Sequence, residues 1–103
     1  MNQPALKGAD LAKAIDAQPY PKVTKEGIEA RIASVAYHRL GETTVTVCAI
    51  TMVNGYSVRG EAACVDPRNF NEDIGKGLAY ADAFRKLWSL EGYLLAEKTY
   101  AKA

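Results

Sequence analysis

The 103-residue sequence predicts an α+β fold: an antiparallel β-meander of three or more strands, a long C-terminal helix packed on one face, and a short N-terminal helix. Three stretches carry that expectation. "TTVTVCAITMVNGYSVRGEAACV", residues 43–65, alternates as strands do around Asn54-Gly55, the strongest short-range hairpin signal. From Ile74 onward, apolar residues return at three- and four-residue steps, the period of a helix. Between the first amphipathic stretch and the rest lies "AQPYPKV", residues 17–23, whose two prolines deny helix continuation.

Residues 1–18 read as a short amphipathic helix, with Leu6, Leu11, Ala14 and Ile15 at helical spacings. Together with the proline-containing linker they make an N-terminal segment, 1–23, ahead of a single α+β domain over 24–103. Thr24 is placed to cap a short turn that runs through Glu29. From Arg31 to Leu40 the pattern is extended, Ala33, Val35 and Tyr37 alternating with Ser34 and His38.

A two-residue turn at Asn54-Gly55 would set 53 opposite 56, 51 opposite 58 and 49 opposite 60. One face then carries Val45, Val47, Ala49, Thr51, Val53, Tyr56, Val58, Gly60, Ala62 and Cys64, and should meet the helices. The other carries Thr46, Cys48, Ile50, Met52, Ser57, Arg59, Glu61 and Ala63, a mixed surface suited to a partner. In that register Cys48 and Cys64 point to opposite faces, so a disulfide between them is not expected. Reduced cysteines fit a cytoplasmic protein.

"DPRNFNED", residues 66–73, reads as the turn from strand into helix. Asp66 before Pro67 is a helix start, Asn69 and Asn71 offer further caps, and Glu72 and Asp73 suit the first turn's dipole. The next helix should bury Ile74, Leu78, Ala81, Phe84 and Trp88, with Leu87, Leu90, Tyr93 and Leu94 also available for the core. Gly92 marks a point where it could kink, and the glycines of "GKGLA", residues 75–79, suit close helix packing.

Charge and motifs narrow the function. Thirteen basic residues against twelve acidic ones give a net charge of +1, too balanced for duplex nucleic acid but compatible with a small anion held by a few arginines. No run is long and apolar enough for a membrane span, and the first residues lack the apolar core of a secretory signal. One histidine and two cysteines make no zinc spacing, "GKGLA" lacks the phosphate-loop pattern, and no nucleophile stands beside His38. Glu61 and Asp66 are the only acid pair suggested for a small hydrolase. The expectation is a protein with no catalytic residues, no metal and no cofactor.

The string "TVTVCAITMVNGYSVRGEAACVDPRNF…IGKGLAYADAFRKLWSLEGYLL" resembles a family of small phage accessory proteins, the gene 49/gene 66 homologues of podoviruses. The matching positions are Cys48, Asn54-Gly55-Tyr56, Gly60-Glu61, Ala63 to Pro67, Asn69-Phe70, Ile74-Gly75, Ala79-Tyr80, Trp88 and Leu90 to Tyr93, across roughly residues 26–97. Ala62 departs from the serine that the family tends to carry, and "AYADA" departs from its Glu-Asn. The family is also similar to phage anti-defence sponges of the first Thoeris type. That similarity implies a homo-oligomer, a dimer or an assembly of dimers, that sequesters a cyclic ADP-ribose-type or cyclic oligonucleotide immune signal in the host cytoplasm without cleaving it.

Such a site needs an aromatic ring for a base, guanidinium groups for phosphates, and an amide for ribose or base edges. Arg31, Tyr56, Arg59, Asn69, Phe70 and Arg85 supply those types and are the expected ligand-binding residues. The alternative is an adaptor that binds a host protein through the exposed sheet face or an edge strand.

Overall fold

The computed structural model describes residues 5–103. Its elements run α1 (Gly8–Asp16), α2 (Lys25–Ala30), β1 (Ile32–Arg39), β2 (Val45–Met52), β3 (Ser57–Ala63), a single 3-10 turn (Pro67–Asn69) and α3 (Glu72–Lys102). The strands form one antiparallel sheet in the order β1-β2-β3, a meander, and α3 packs across β2 and β3. The α+β architecture is therefore the expected one. The N-terminal helix is shorter than residues 1–18 suggested, and Met1 to Pro4 lie outside the described residues.

The local start signals act where the sequence places them. Thr24 Oγ1 accepts from the Gly27 N–H at 2.9 Å and opens α2. Asp66 accepts from the Arg68 N–H at 3.0 Å and opens the 3-10 turn on Pro67. Asn71 accepts from the Ile74 N–H at 3.1 Å and opens α3, with Glu72 and Asp73 in its first turn. Arg68 is part of the same device: its Nη2 meets Asp66 Oδ2 at 2.7 Å and its Nε meets Oδ1 at 3.1 Å. Gly92 does not interrupt α3, which runs unbroken for 31 residues, about 46 Å at the helical rise.

The hairpin register differs from the expected one by a residue. Thr51 faces Ser57, Ile50 faces Val58 and Cys48 faces Gly60. The loop is three residues, Val53 to Gly55: Gly55 N–H donates to the Met52 carbonyl at 2.9 Å, Met52 N–H donates to the Tyr56 carbonyl at 2.8 Å, and Gly55 takes φ +88°. A glycine in the left-handed region at the third loop position is the commonest three-residue alternative to a two-residue turn. Because side chains alternate, the slip inverts the faces of β2 while leaving β3 as expected. Thr46, Cys48, Ile50 and Met52 are buried under α3 beside Val58, Gly60 and the half-buried Ala62. Val45, Val47, Ala49 and Thr51 lie on the other face, half-buried, with Ser57, Arg59, Glu61 and Ala63. In β1 a bulge between Ile32 and Ser34 restores the phase, so Ile32 and Tyr37 both pack on the core.

Both cysteines are free, but not because they face apart. Cys64 lies on the same side as Cys48, four residues beyond Cys48's partner Gly60. That is about 13 Å along the strand direction, beyond disulfide reach.

The buried stripe of α3 also differs from the expected one. Ile74 and Leu78 are 60% and 58% exposed, and Trp88 is 42% exposed. Phe84 is buried as expected, and so is Leu87, one of those available for the core, but Ala79 and Ala83 complete the buried face. Small side chains win because the helix sits very close to the sheet. A Cβ on Gly60 would fall on the Ala83 amide nitrogen and the Ala79 carbonyl oxygen, and one on Gly75 would come within 2.6 Å of Thr46 Oγ1. Polar contacts run along the same seam. Glu61 N–H donates to Asp82 Oδ2 at 3.0 Å, and Lys86 Nζ donates to the Arg59 carbonyl. The Glu61 hydrogen bond, then Arg85, holds the Asp82 carboxyl below the usual carboxylate range. Thr46 Oγ1 is buried there with no hydrogen-bond partner.

Gly60→Ala should destabilise the protein by about 3 kcal/mol or prevent folding, because the obstruction is backbone and cannot rotate away; chemical denaturation measures it. Thr46→Val should be neutral or stabilising by up to about 1 kcal/mol in the same assay, since it removes a buried unpaired hydroxyl. Asp82 and Asp66, both with lowered pKa, contribute stability above the ordinary carboxylate range that is lost as pH falls through their folded-state values. Thermal melts should therefore fall steeply below about pH 4, and Asp82→Asn should flatten that decline.

Candidate functional site

Two of the predicted site residues, from distant parts of the chain, meet where the hairpin tip reaches the middle of α3. Arg31 comes directly after α2, and its carbonyl accepts from the Val53 N–H at 2.8 Å, which ties it to the hairpin. Its Nε meets Glu91 Oε1 at 3.0 Å, and both side chains are partly buried. Tyr56 leaves the hairpin turn, its N–H donating to Asn54 Oδ1 at 3.0 Å. These residues line a groove of about 290 Å³ floored by Met52 and Leu87, with the exposed ring of Tyr93 on α3 as a further wall.

The Arg31–Glu91 pair also borders a second cleft of about 160 Å³, which includes Lys22, Thr24 and Lys98. Arg31, Glu91 and Leu94 are common to both. One compartment is therefore aromatic and apolar, carrying Tyr56, Tyr93 and the Asn54 amide. The other is basic, with Lys22 and Lys98 beside Arg31 against the single Glu91 carboxylate. Lys22 Nζ donates to the Gln18 carbonyl at 3.0 Å, which places the proline linker along this cleft. Arranged this way, the residues offer ring faces at one end and cations at the other.

The remaining predicted residues lie elsewhere. Arg59 is exposed on the outer face of β3, in a surface depression with Glu61, Asp82 and Lys86. Arg85 meets Asp82 at 3.1 Å and lies on α3 beside Trp88. Asn69 and Phe70 border a cavity of about 110 Å³ between the end of β3 and the start of α3. Phe70 is half-buried with the Arg39 guanidinium 4.1 Å above its ring, so it anchors the turn. Of the six, Arg31 and Tyr56 share one groove, the neighbours Asn69 and Phe70 share another cavity, and Arg59 and Arg85 join neither.

Asn54, Glu91 and Tyr93 fall within the motifs that carry the family resemblance, but no spacing places them, Lys22 or Lys98 at a common site. Tyr93 and Glu91 sit one turn and more past the buried Leu87, and nothing in the linear pattern shows that the hairpin tip reaches that level of the helix. Asp66, one half of the acid pair considered for a hydrolase, spends both carboxylate oxygens on Arg68, which holds its pKa low. Burial pushes the Cys48 thiol up, away from the reactive thiolate.

Fold and groove together define a small α+β protein with one open helix-on-sheet layer and a two-compartment surface cleft. Residues 23–99 match the Phage protein (N4 Gp49/phage Sf6 gene 66) family, and the chain belongs to it. No curated protein and no solved structure matches it. Among the described residues, no helix is long and apolar enough to cross a membrane.

Phe70→Ala should cost about 2 kcal/mol in denaturant unfolding, from lost packing and the lost Arg39 contact. An exposed loop residue that served only a ligand would cost almost nothing there.

Proposed function

We propose that this phage protein is a non-catalytic binding protein that sequesters a cyclic ADP-ribose-type or cyclic oligonucleotide immune signal inside the host cell. The observation that carries the reading is the composite cleft, in which Arg31 stands between an aromatic compartment and a basic one. A nucleotide divides its chemistry the same way: a base stacks on rings such as Tyr56 and Tyr93, and a phosphate takes Arg31, Lys22 and Lys98. Glu91 Oε1 holds Arg31 through its Nε, and a carboxylate in that position suits ribose hydroxyl donors. The resemblance to anti-defence sponges points to the same ligand class, with the site completed by a second copy.

A second reading, a host-protein adaptor, draws on the uncovered sheet face. There Val45, Val47 and Ala49 form a half-buried apolar strip flanked by Arg59 and Glu61. That reading needs no nucleotide.

Isothermal titration with a panel of cyclic nucleotides, followed by heat release and mass analysis, separates the two. Binding by one member, released unchanged, with Arg31→Ala weakening it about 30-fold or more, is the expected result. Tyr56→Ala should weaken it about tenfold through lost stacking, and Phe70→Ala should leave it intact. A chemically altered ligand would remove the non-catalytic reading, and no binding by any member would leave the adaptor in its place.

A further inference from the structure

The sheet has two edges, and the chain treats them differently. In β3 the Arg59 carbonyl and the Glu61 N–H point away from β2, and side chains of α3 take both: Lys86 donates to the first and Asp82 accepts from the second. That edge is closed to further pairing. β1 is the other edge. Leu40 N–H donates to the Val45 carbonyl at 3.0 Å, so in the register of β1 on β2 the even-numbered residues from Ser34 to Leu40 bond inward. Val35, Tyr37 and Arg39 therefore turn their N–H and C=O groups outward. Among the described residues, no hydrogen bond reaches any of them.

The open strand lacks the usual guards of a solitary edge. From Ser34 to Arg39 its register is regular, and it holds no proline and no lysine. α3 packs on β2 and β3, which leaves Val35 37% exposed on the helix side beside the half-buried Tyr37. The strand is also its own complement. Outward groups can bond only to outward groups, so a two-fold axis joining two copies must pass through a residue of the strand. An axis at His38 would set two imidazoles against each other, and one at Tyr37 would set two Tyr37 rings side by side and leave Val35 facing Arg39. An axis at Ala36 places Val35 against the partner's Tyr37, Ser34 against the partner's His38, and Ala36 against its own copy. That choice opposes no like charges and covers Val35 with an aromatic ring, a favourable cross-strand pair.

We propose that β1 is a self-pairing edge: two copies join Ser34–Arg39 antiparallel about a two-fold axis at Ala36, merging their meanders into one continuous sheet with both α3 helices on the same face. An extended segment of another protein would also find the free backbone groups, but β1 supplies both halves of the Val35–Tyr37 pair itself. The proposal is independent of the nucleotide reading, since Ser34 to Arg39 line neither compartment of the cleft around Arg31.

Across that axis Ala36 meets its copy at a non-hydrogen-bonded position, where α-carbons lie about 4.5 Å apart, within disulfide reach. On the full chain carrying Cys64→Ser, Ala36→Cys should form a covalent dimer under mild oxidation. His38→Cys, whose copies would stand about 13 Å apart, should not. Sedimentation velocity of the unmodified chain should show the mass doubling as concentration rises. Val35→Pro removes an outward N–H that β2 does not use, so it should raise the midpoint of that doubling about tenfold or more and leave the circular dichroism of the dilute protein unchanged. Val35→Lys, which keeps the N–H and puts a charge into the apolar pair, should act the same way. A monomer at every concentration would overturn the proposal and leave the edge to other partners. A dimer that Ala36→Cys fails to cross-link, that His38→Cys cross-links instead, or that both Val35 variants leave intact would overturn it as well.

Discussion

The rest of the structure depends on how closely α3 lies on β3. Gly60 and the Ala79–Ala83 pair bring helix backbone against strand backbone, with no room for a single added carbon. That approach aligns the Asp82 carboxylate with the Glu61 amide and carries Lys86 to the Arg59 carbonyl. It also sets the height of every later turn of α3 above the sheet. Leu87 therefore reaches the floor under the hairpin tip, and Glu91 comes level with Arg31. A larger residue in the seam would lift the helix and open the groove.

The same closeness explains why the protein leaves so much apolar surface uncovered. A three-stranded sheet under one helix makes a thin core, centred on Ile28, Cys48, Ile50, Ala79, Ala83 and Leu87. The seam holds small residues, so the bulky side chains of α3 are displaced to its flanks. Ile74, Leu78, Trp88, Leu90 and Tyr93 end on the surface for that reason. The outer sheet face, the exposed flank of α3 around Trp88, and α1 all leave apolar side chains uncovered. A domain of this size gains stability by placing such surfaces against another molecule.

The electrostatic arrangement is local rather than global. With a net charge of +1 there is no long-range field to collect anions, and attraction must come from neighbours within a few ångströms. The clusters are accordingly paired: Arg68 with Asp66, Arg85 with Asp82, Arg31 with Glu91. In the cleft beside α2, Lys22, Lys98 and Arg31 outnumber the Glu91 carboxylate between them. There the Arg31–Glu91 pair fixes the guanidinium where the two compartments meet.

The short-range features were legible in the sequence because their causes lie within three or four residues. Thr24, Asp66 and Asn71 each cap the helical turn that begins at the next residue, the prolines end the first helix, and Asn54-Gly55 turns the chain between two alternating runs. Register, helix face and site were not legible, and each for a definite reason. Whether Asn54-Gly55 makes a two- or a three-residue loop changes the local energy little, yet it inverts β2. The inverted face is chosen by what α3 can pack against. On α3 the large apolar residues repeat as convincingly as the small ones. Only contact with Gly60 selects Ala79 and Ala83, because close packing rewards the side chains that let backbones approach. Arg31 and Tyr56 share a groove because that selection turns Leu87 and Glu91 toward the hairpin tip, a consequence of three elements meeting that no single segment encodes.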